Sequence, residues 1–219
     1  MSEREYRLLH MLVAGLADRA LTQENTFSEA VDILWRHPQL RAELLELLAV
    51  LRDRLDHVHA PLTTHPDVPL QVHARYSRIE ILAAFGATTV AKIAAWQSGV
   101  YEAKAANAEL FAFTLDKSTG GFSPTTRYRD YAISRTLIHW ESQSITREDS
   151  ATGRRYRNHE HQGRFIMLFT RLRADDRAFW FLGPATYRSH EGEKPMAITW
   201  ELHHRLPGDL YAAFAAAVA

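Results

Sequence analysis

The sequence predicts an α+β protein, with an N-terminal helical segment packed beside a mostly antiparallel, β-barrel-like domain. Three observations carry this expectation. Apolar residues recur at helical spacing through residues 1–60, prolines crowd residues 61–72, and after Gly99 the chain turns to short apolar or alternating runs. The chain therefore divides into a helical segment at 1–60, a Pro-rich linker at 61–72 and an α+β domain at 73–219.

Leu8, Leu9, Leu12, Val13 and Leu16 mark a first helix over 4–20. Thr26 with Glu29 has the spacing of a capping box ahead of Val31, Ile33, Leu34 and Trp35, and His37-Pro38 ends that second helix. A third helix carries Leu40, Leu44, Leu47, Leu48, Leu51 and Leu55 on one face, which needs a partner surface. Pro61, Pro66 and Pro69 mark a linker or an extended crossing, taken as the domain boundary. Ser77 with Glu80 gives another capping box, and Gly86 supplies a left-handed stop.

Strands are expected at Val100-Tyr101, 109–116, 133–143, 164–172, 178–187 and 196–204, with a turn at Gly120-Gly121 and a polar loop at 144–163. The run RFIMLFTRL at 164–172 is apolar throughout and reads as central. A last helix starts at Asp209. This strand spacing is what a compact barrel or a strongly twisted sheet requires.

The chain of 219 residues has no cysteine, which excludes disulfides and thiolate zinc sites. No run reaches the roughly 18 apolar residues of a membrane span, and the opening MSEREYRLLH lacks the pattern of a signal peptide. A cytoplasmic protein with no membrane contact is expected. Net charge is zero, yet residues 1–60 hold seven arginines against ten acids, so the remainder carries +3. Within 121–165 eight arginines face five acids and no lysine occurs. Guanidinium forks suit phosphates and stack on bases, whereas a preference for Arg codons would leave the same trace.

Several catalytic constellations are missing. There is no GxSxG elbow, no GxxxxGK[ST] loop and no HxE paired with cysteines. His159-Glu160-His161 looks like a metal cluster at first, but no partner stands at helical spacing to complete it. Asp116, Asp130, Glu141 or Glu191 would be the acids of a small metal-dependent nuclease. No metal and no cofactor are expected.

The stretch SPTTRYRDYAISRTLIHWESQS, residues 123–144, is the most informative. On a strand, Arg135, Leu137, His139 and Glu141 share one face, while Thr136, Ile138, Trp140 and Ser142 share the other. Trp140 is then core and His139 exposed. Arg127, Tyr128, Arg129 and Tyr131 lead into it. Guanidiniums fit phosphates, and Tyr or His faces fit unstacked bases. A half-buried strand with snorkelling arginines is the rival reading.

The runs HARYSRIEILAAFG (73–86), GVY (99–101), LDKSTGGFSPTTRYRDYAISRTLIHWESQS (115–144), TGRRYRNH (152–159) and FLGPATYRSHEGEKPMAITWEL (181–202) resemble a domain of unknown function. That domain lies at the C-terminus of bacterial restriction-type helicases, after a phospholipase-D-like nuclease and a superfamily II helicase. The resemblance implies a role in defence against foreign DNA, with DNA as ligand. It implies no catalysis, because neither a Walker motif nor a phospholipase-type HxK motif is present. A partner helicase or nuclease, or a second copy, is the other expected contact.

Beside the resemblance, the physical reading puts Tyr128, Tyr131, His139, Tyr187 and His190 around a base-reading pocket. Arg127, Arg129, Arg154, Arg155 and Arg188 would grip phosphates, with Arg135 on the same strand face as His139. Residues 187–196 would form the rim, and Trp180 and Trp200 the core.

Overall fold

A computed structural model describes residues 1–17, 27–88, 94–116 and 130–217. Helix α1 (Glu3–Ala17) leads to α2 (Phe27–Arg36) and α3 (Pro38–Asp53). Short strands β1 (Ala60–Pro61) and β2 (Gln71–Val72) pair with each other, and β3 (Arg75–Ser77) runs directly into α4 (Arg78–Ala84). The main sheet is built from β4 (Val100–Ala103), β5 (Ala108–Thr114), β6 (Tyr131–Ala132), β7 (Leu137–Glu141), β8 (Phe165–Arg171), β9 (Ala178–Glu191) and β10 (Ala197–Leu202). Helix α5 (Ala151–Arg157) lies between β7 and β8, and α6 (Gly208–Ala216) closes the described chain.

The α+β reading holds. The sheet has the order β4-β5-β8-β9-β10-β7-β6, with β3 added against β9. All its pairs are antiparallel except β5 with β8, so the sheet is mixed. It is not closed into a barrel: β4 and β6 are its two ends. It nevertheless curls, since Trp140 of β7 comes within 4.5 Å of Phe111 of β5, ring centre to ring centre. The central place expected for RFIMLFTRL is occupied by β8, between β5 and β9.

Two cores flank the sheet. On one face Leu110, Ala112, Met167, Phe169, Phe179 and Phe181 pack with Ile81, Leu82 and Phe85 around α4. On the other, Phe111, Leu168, Ile198 and Trp200 pack with Tyr156 of α5 and Leu210 and Phe214 of α6. Trp140 and Trp200 are core, as their strand parity requires, while Trp180 is half-buried against Phe214 and under Arg75.

Local chemistry fixes α4. The Ser77 hydroxyl accepts from the Glu80 N–H at 3.4 Å, and the Glu80 carboxylate accepts from the Ser77 N–H at 2.7 Å. Gly86, at φ +66°, ends the helix, and the Ala87 N–H reaches the Leu82 carbonyl at 2.8 Å while the Gly86 N–H reaches Ala83 at 3.0 Å. This is a Schellman stop. The earlier box at Thr26 and Glu29 falls partly outside the described residues, since Thr26 is not among them.

Two packing features bear on how the segments at 1–60 and 61–72 relate to the sheet. Residues 61–72 are no free linker, because Leu62, Val68, Leu70 and Val72 are buried in the first core. The segment turns at 63–64 and 66–67 between the paired strands β1 and β2, with these apolar side chains buried. Helix α1 also belongs to that core through Met11 and Ala14, and Arg7 donates to the Ala84 carbonyl at the end of α4 at 3.2 Å. Helix α3 has no buried residue.

The expected polar loop at 144–163 contains α5. Ser150 caps it, its hydroxyl accepting from the Gly153 N–H at 3.0 Å. Gly153 is there because nothing larger fits: a Cβ would sit 2.1 Å from the Arg147 carbonyl oxygen and 2.9 Å from that of Glu148. Gly153→Ala is expected to cost about 1–3 kcal/mol by forced backbone displacement. Thermal unfolding of the two proteins checks it, and an unchanged midpoint would refute the close approach.

Candidate nucleic-acid interface

The eleven residues singled out above separate into four groups. Arg127, Tyr128 and Arg129 lie outside the described residues. Tyr131 and His139 come together. They are cross-strand partners on β6 and β7, with rings stacked at 4.5 Å and 13° between planes. Tyr131 is exposed and His139 half-buried. Since β6 is the end strand of the sheet among the described residues, this stack lies at the edge of the described sheet. The strand parity holds here: Ile138 and Trp140 are buried, and Leu137, His139 and Glu141 are not. Arg135 stands in the turn before β7, where its Nε donates to the Leu206 carbonyl at 2.6 Å, and the Leu206 N–H returns a bond to the Arg135 carbonyl at 2.8 Å. Part of its donor capacity is thus spent on holding the chain ahead of α6.

Arg154 and Arg155 lie on α5. Arg154 is exposed. Arg155 is committed to the protein, since its guanidinium forks onto the carboxylate of Glu109, a fully buried residue of β5. Arg164 adds a second cation 3.8 Å from Glu109 and holds Glu102 at 2.8 Å.

Tyr187, Arg188 and His190 lie on β9. Tyr187 pairs with Trp200 and His190 with Ile198, whereas Ser189 pairs with Thr199, itself opposite His139. Partners directly across a sheet share a face. Tyr187 and His190 therefore project to the face opposite Tyr131 and His139. One pocket lined by all of them is not formed, because the sheet lies between. The register shift that separates the Ser189 and Tyr187 pairings leaves Arg188 as an extra residue, and its guanidinium pairs with Glu201.

On that opposite face, polar groups form a chain. The Tyr187 hydroxyl is 2.6 Å from His190 Nδ1, and His190 Nε2 donates to Glu148 at 2.8 Å. Arg157 stands 3.6 Å from the same carboxylate. Burial pushes the Tyr187 hydroxyl above the ordinary tyrosine range. Next to it, buried His159 donates from Nδ1 to the Arg164 carbonyl at 3.0 Å and accepts the Tyr187 N–H on Nε2 at 3.2 Å. Both nitrogens are used, and burial holds this imidazole below its ordinary pKa. His159 fastens the turn after α5 to β9. Among the described residues, no three His, Asp or Glu side chains are placed to hold a metal ion together.

Sequence reasoning passed over two arginines. Arg78 opens α4 and Arg171 ends β8, and both line a cleft between α4 and the sheet. The signal was available in part, since a cation closing an otherwise apolar central strand, as in RFIMLFTR, has to find a place for its charge.

Among the described residues no helix is long and apolar enough to cross a membrane. Residues 70–214 match the family described as domain of unknown function DUF3427. No curated protein matches the chain.

Proposed function

From the membership of this chain in the DUF3427 family, shown by the match over residues 70–214, we propose that it is a non-catalytic DNA-binding module of the bacterial cytoplasm. It would serve a restriction or phage-defence helicase–nuclease, as the sequence resemblance suggests, and its ligand is duplex or base-modified DNA. The observation that carries the reading is the Tyr131–His139 stack at the sheet edge. It directly follows the arginine-bearing run RYRD in sequence. An exposed ring that follows arginines in sequence suits a nucleic acid, the ring taking a base face and the guanidiniums taking phosphates.

A labelled DNA panel titrated across a salt series tests this. It holds single strands, plain duplex, and duplexes with methylated, hydroxymethylated or phosphorothioate positions. The expected result is salt-dependent binding with one preferred form. Tyr131→Ala with His139→Ala should weaken it roughly tenfold, the loss of one stacked base. Arg127→Ala with Arg129→Ala should also weaken it and lower the salt slope by about 2. Absence of binding to every member at low salt would overturn the reading.

Helix α3 favours a second reading, as an interaction module. Leu40, Leu45, Leu47, Leu48, Leu51 and Leu55 are all exposed on it or just past its end. Its charges are mixed, with Arg41 near one end and Asp53 at the other. Light scattering decides: a dimer that Leu47→Glu with Leu51→Glu converts to monomer supports this reading, and a monomeric wild type removes it.

A further inference from the structure

Arg78 and Arg171 stand against one aromatic ring. The Arg171 guanidinium lies 4.8 Å from the centre of Phe179, and that of Arg78 lies 5.4 Å from the same centre. Their hydrogen bonds go to neutral acceptors. Arg78 Nη1 donates to the Trp96 carbonyl at 3.2 Å. Arg171 donates from Nε to the Thr114 hydroxyl at 2.9 Å and from Nη1 to the Asp176 carbonyl at 2.6 Å. Buried Arg78 Nε has no acceptor, and neither Nη2 group bonds to anything among the described residues.

No carboxylate offsets this charge by contact. Among the described residues neither guanidinium forms an ion pair with an acid. The acids nearby are spent on other partners. Asp176 and Asp175 attract Arg171 more weakly than burial opposes its charge, and they pair with Arg75 and Arg173. Glu80 is held in the capping box of α4. Asp130 accepts the Glu141 N–H at 2.9 Å, and both of these acids hold partners in the fold. Burial disfavours the charge on both arginines, and Arg171 adds repulsion at Arg78. Arginine does not shed its proton to relieve this. An anion beside the pair does relieve it, by attraction to both.

The two side chains border the same space. Each lines both of two adjoining cavities, of about 380 Å³ and 970 Å³, together with Gln97. A small oxyanion has room there and spare N–H groups to receive it. Guanidinium forks present paired donors that match two oxygens of a phosphate, with charge-assisted bonds. We propose that the Arg78–Arg171 cleft is a binding site for a phosphate group, filled in the DNA complex by one phosphate of the backbone. That occupant rests on the DNA-binding reading, whereas the site itself does not.

Calorimetry of the full chain with inorganic phosphate, at an ionic strength held constant with chloride, tests the site. Wild type should bind phosphate, and Arg171→Gln should weaken the binding at least tenfold. Gln97→Glu should weaken it as well, because it puts a carboxylate on the wall that both arginines share. Residue 97 is exposed and the change is nearly isosteric, so this variant keeps the test decisive if Arg171→Gln does not fold. No phosphate uptake by wild type, or an affinity that Gln97→Glu leaves unchanged, would overturn the site. A labelled duplex titrated across salt tests the occupant. The slope of log affinity against log salt should fall by about 1 in either variant. An unchanged slope beside variant-sensitive phosphate binding would assign the cleft to free phosphate and overturn the backbone occupant. DNA binding by a chain that takes up no phosphate removes the cleft and leaves the DNA reading standing. Variant-sensitive phosphate binding in a chain that binds no DNA supports the site and removes the DNA reading, with its backbone occupant.

Discussion

Arg155→Ala is expected to destabilise the protein by about 3–5 kcal/mol, because it strands a carboxylate in the core. Glu109 is fully buried on β5, while Arg155 reaches it from α5 with 29% of its side chain exposed. Without Arg155, Arg164 at 3.8 Å offers only partial compensation, since it is also bound to Glu102. The loss should therefore fall toward the lower figure. Replacing both partners, as Glu109→Leu with Arg155→Leu, should recover much of it, because no uncompensated charge remains. Denaturant titration of the three proteins measures both effects. An Arg155→Ala protein as stable as wild type, with weakened DNA binding, would return Arg155 to the phosphate-gripping role that its sequence position suggests.

Stability should also fall as pH drops from about 6.5 to about 4. His73 is buried and sits at φ +72°. Burial, together with repulsion from His57, His204 and His59 and against a smaller opposing pull from Asp209, pushes its pKa down to about 4. The unfolded chain takes up this proton near pH 6.5 and the folded chain does not, so unfolding is favoured progressively across that window. Above 6.5 the contribution is fully present; by about pH 4 some 3 kcal/mol of it is gone. Burial lowers the pKa of His10, His59, His159 and His204 in the same direction. His73→Asn removes the titrating group and suits the left-handed backbone. It should flatten the stability profile between pH 6.5 and 4, measured by urea midpoints; a slope equal to that of wild type would refute the assignment.

Legibility in the sequence followed the range of the interaction. The Ser77–Glu80 box, the Gly86 stop and the alternation Ile138-His139-Trp140 are local, and each appeared where the residues put it. Helix α5 was hidden, because ATGRRYR offers only Tyr156 as a large apolar anchor and has glycine at its third position. The packing of residues 61–72 was hidden for another reason. Val68, Leu70 and Val72 do alternate, but Pro66 and Pro69 stand beside and among them and give the stretch the composition of a linker. Whether the sheet closes, and which face Tyr187 takes relative to His139, depends on long-range register and on a bulge between β9 and β10. The Arg78–Arg171 pair unites residues 93 positions apart in the chain, beyond the reach of any motif.

The parallel pairing of β5 with β8 also has a kinetic consequence. Strands β5 and β8 align over seven residues whose partners are 57 positions apart. Drawing together the ends of a loop that long costs about 3–4 kcal/mol of chain entropy before any contact repays it. The β8-β9-β10 succession needs only short closures, as does the β4–β5 hairpin. These two pieces can therefore form rapidly and separately, and their union along β5 and β8 is the slow step of assembly. Glu109, Arg155 and Arg164 meet only when that seam closes, so the buried ion pair is a product of late folding and reports its completion.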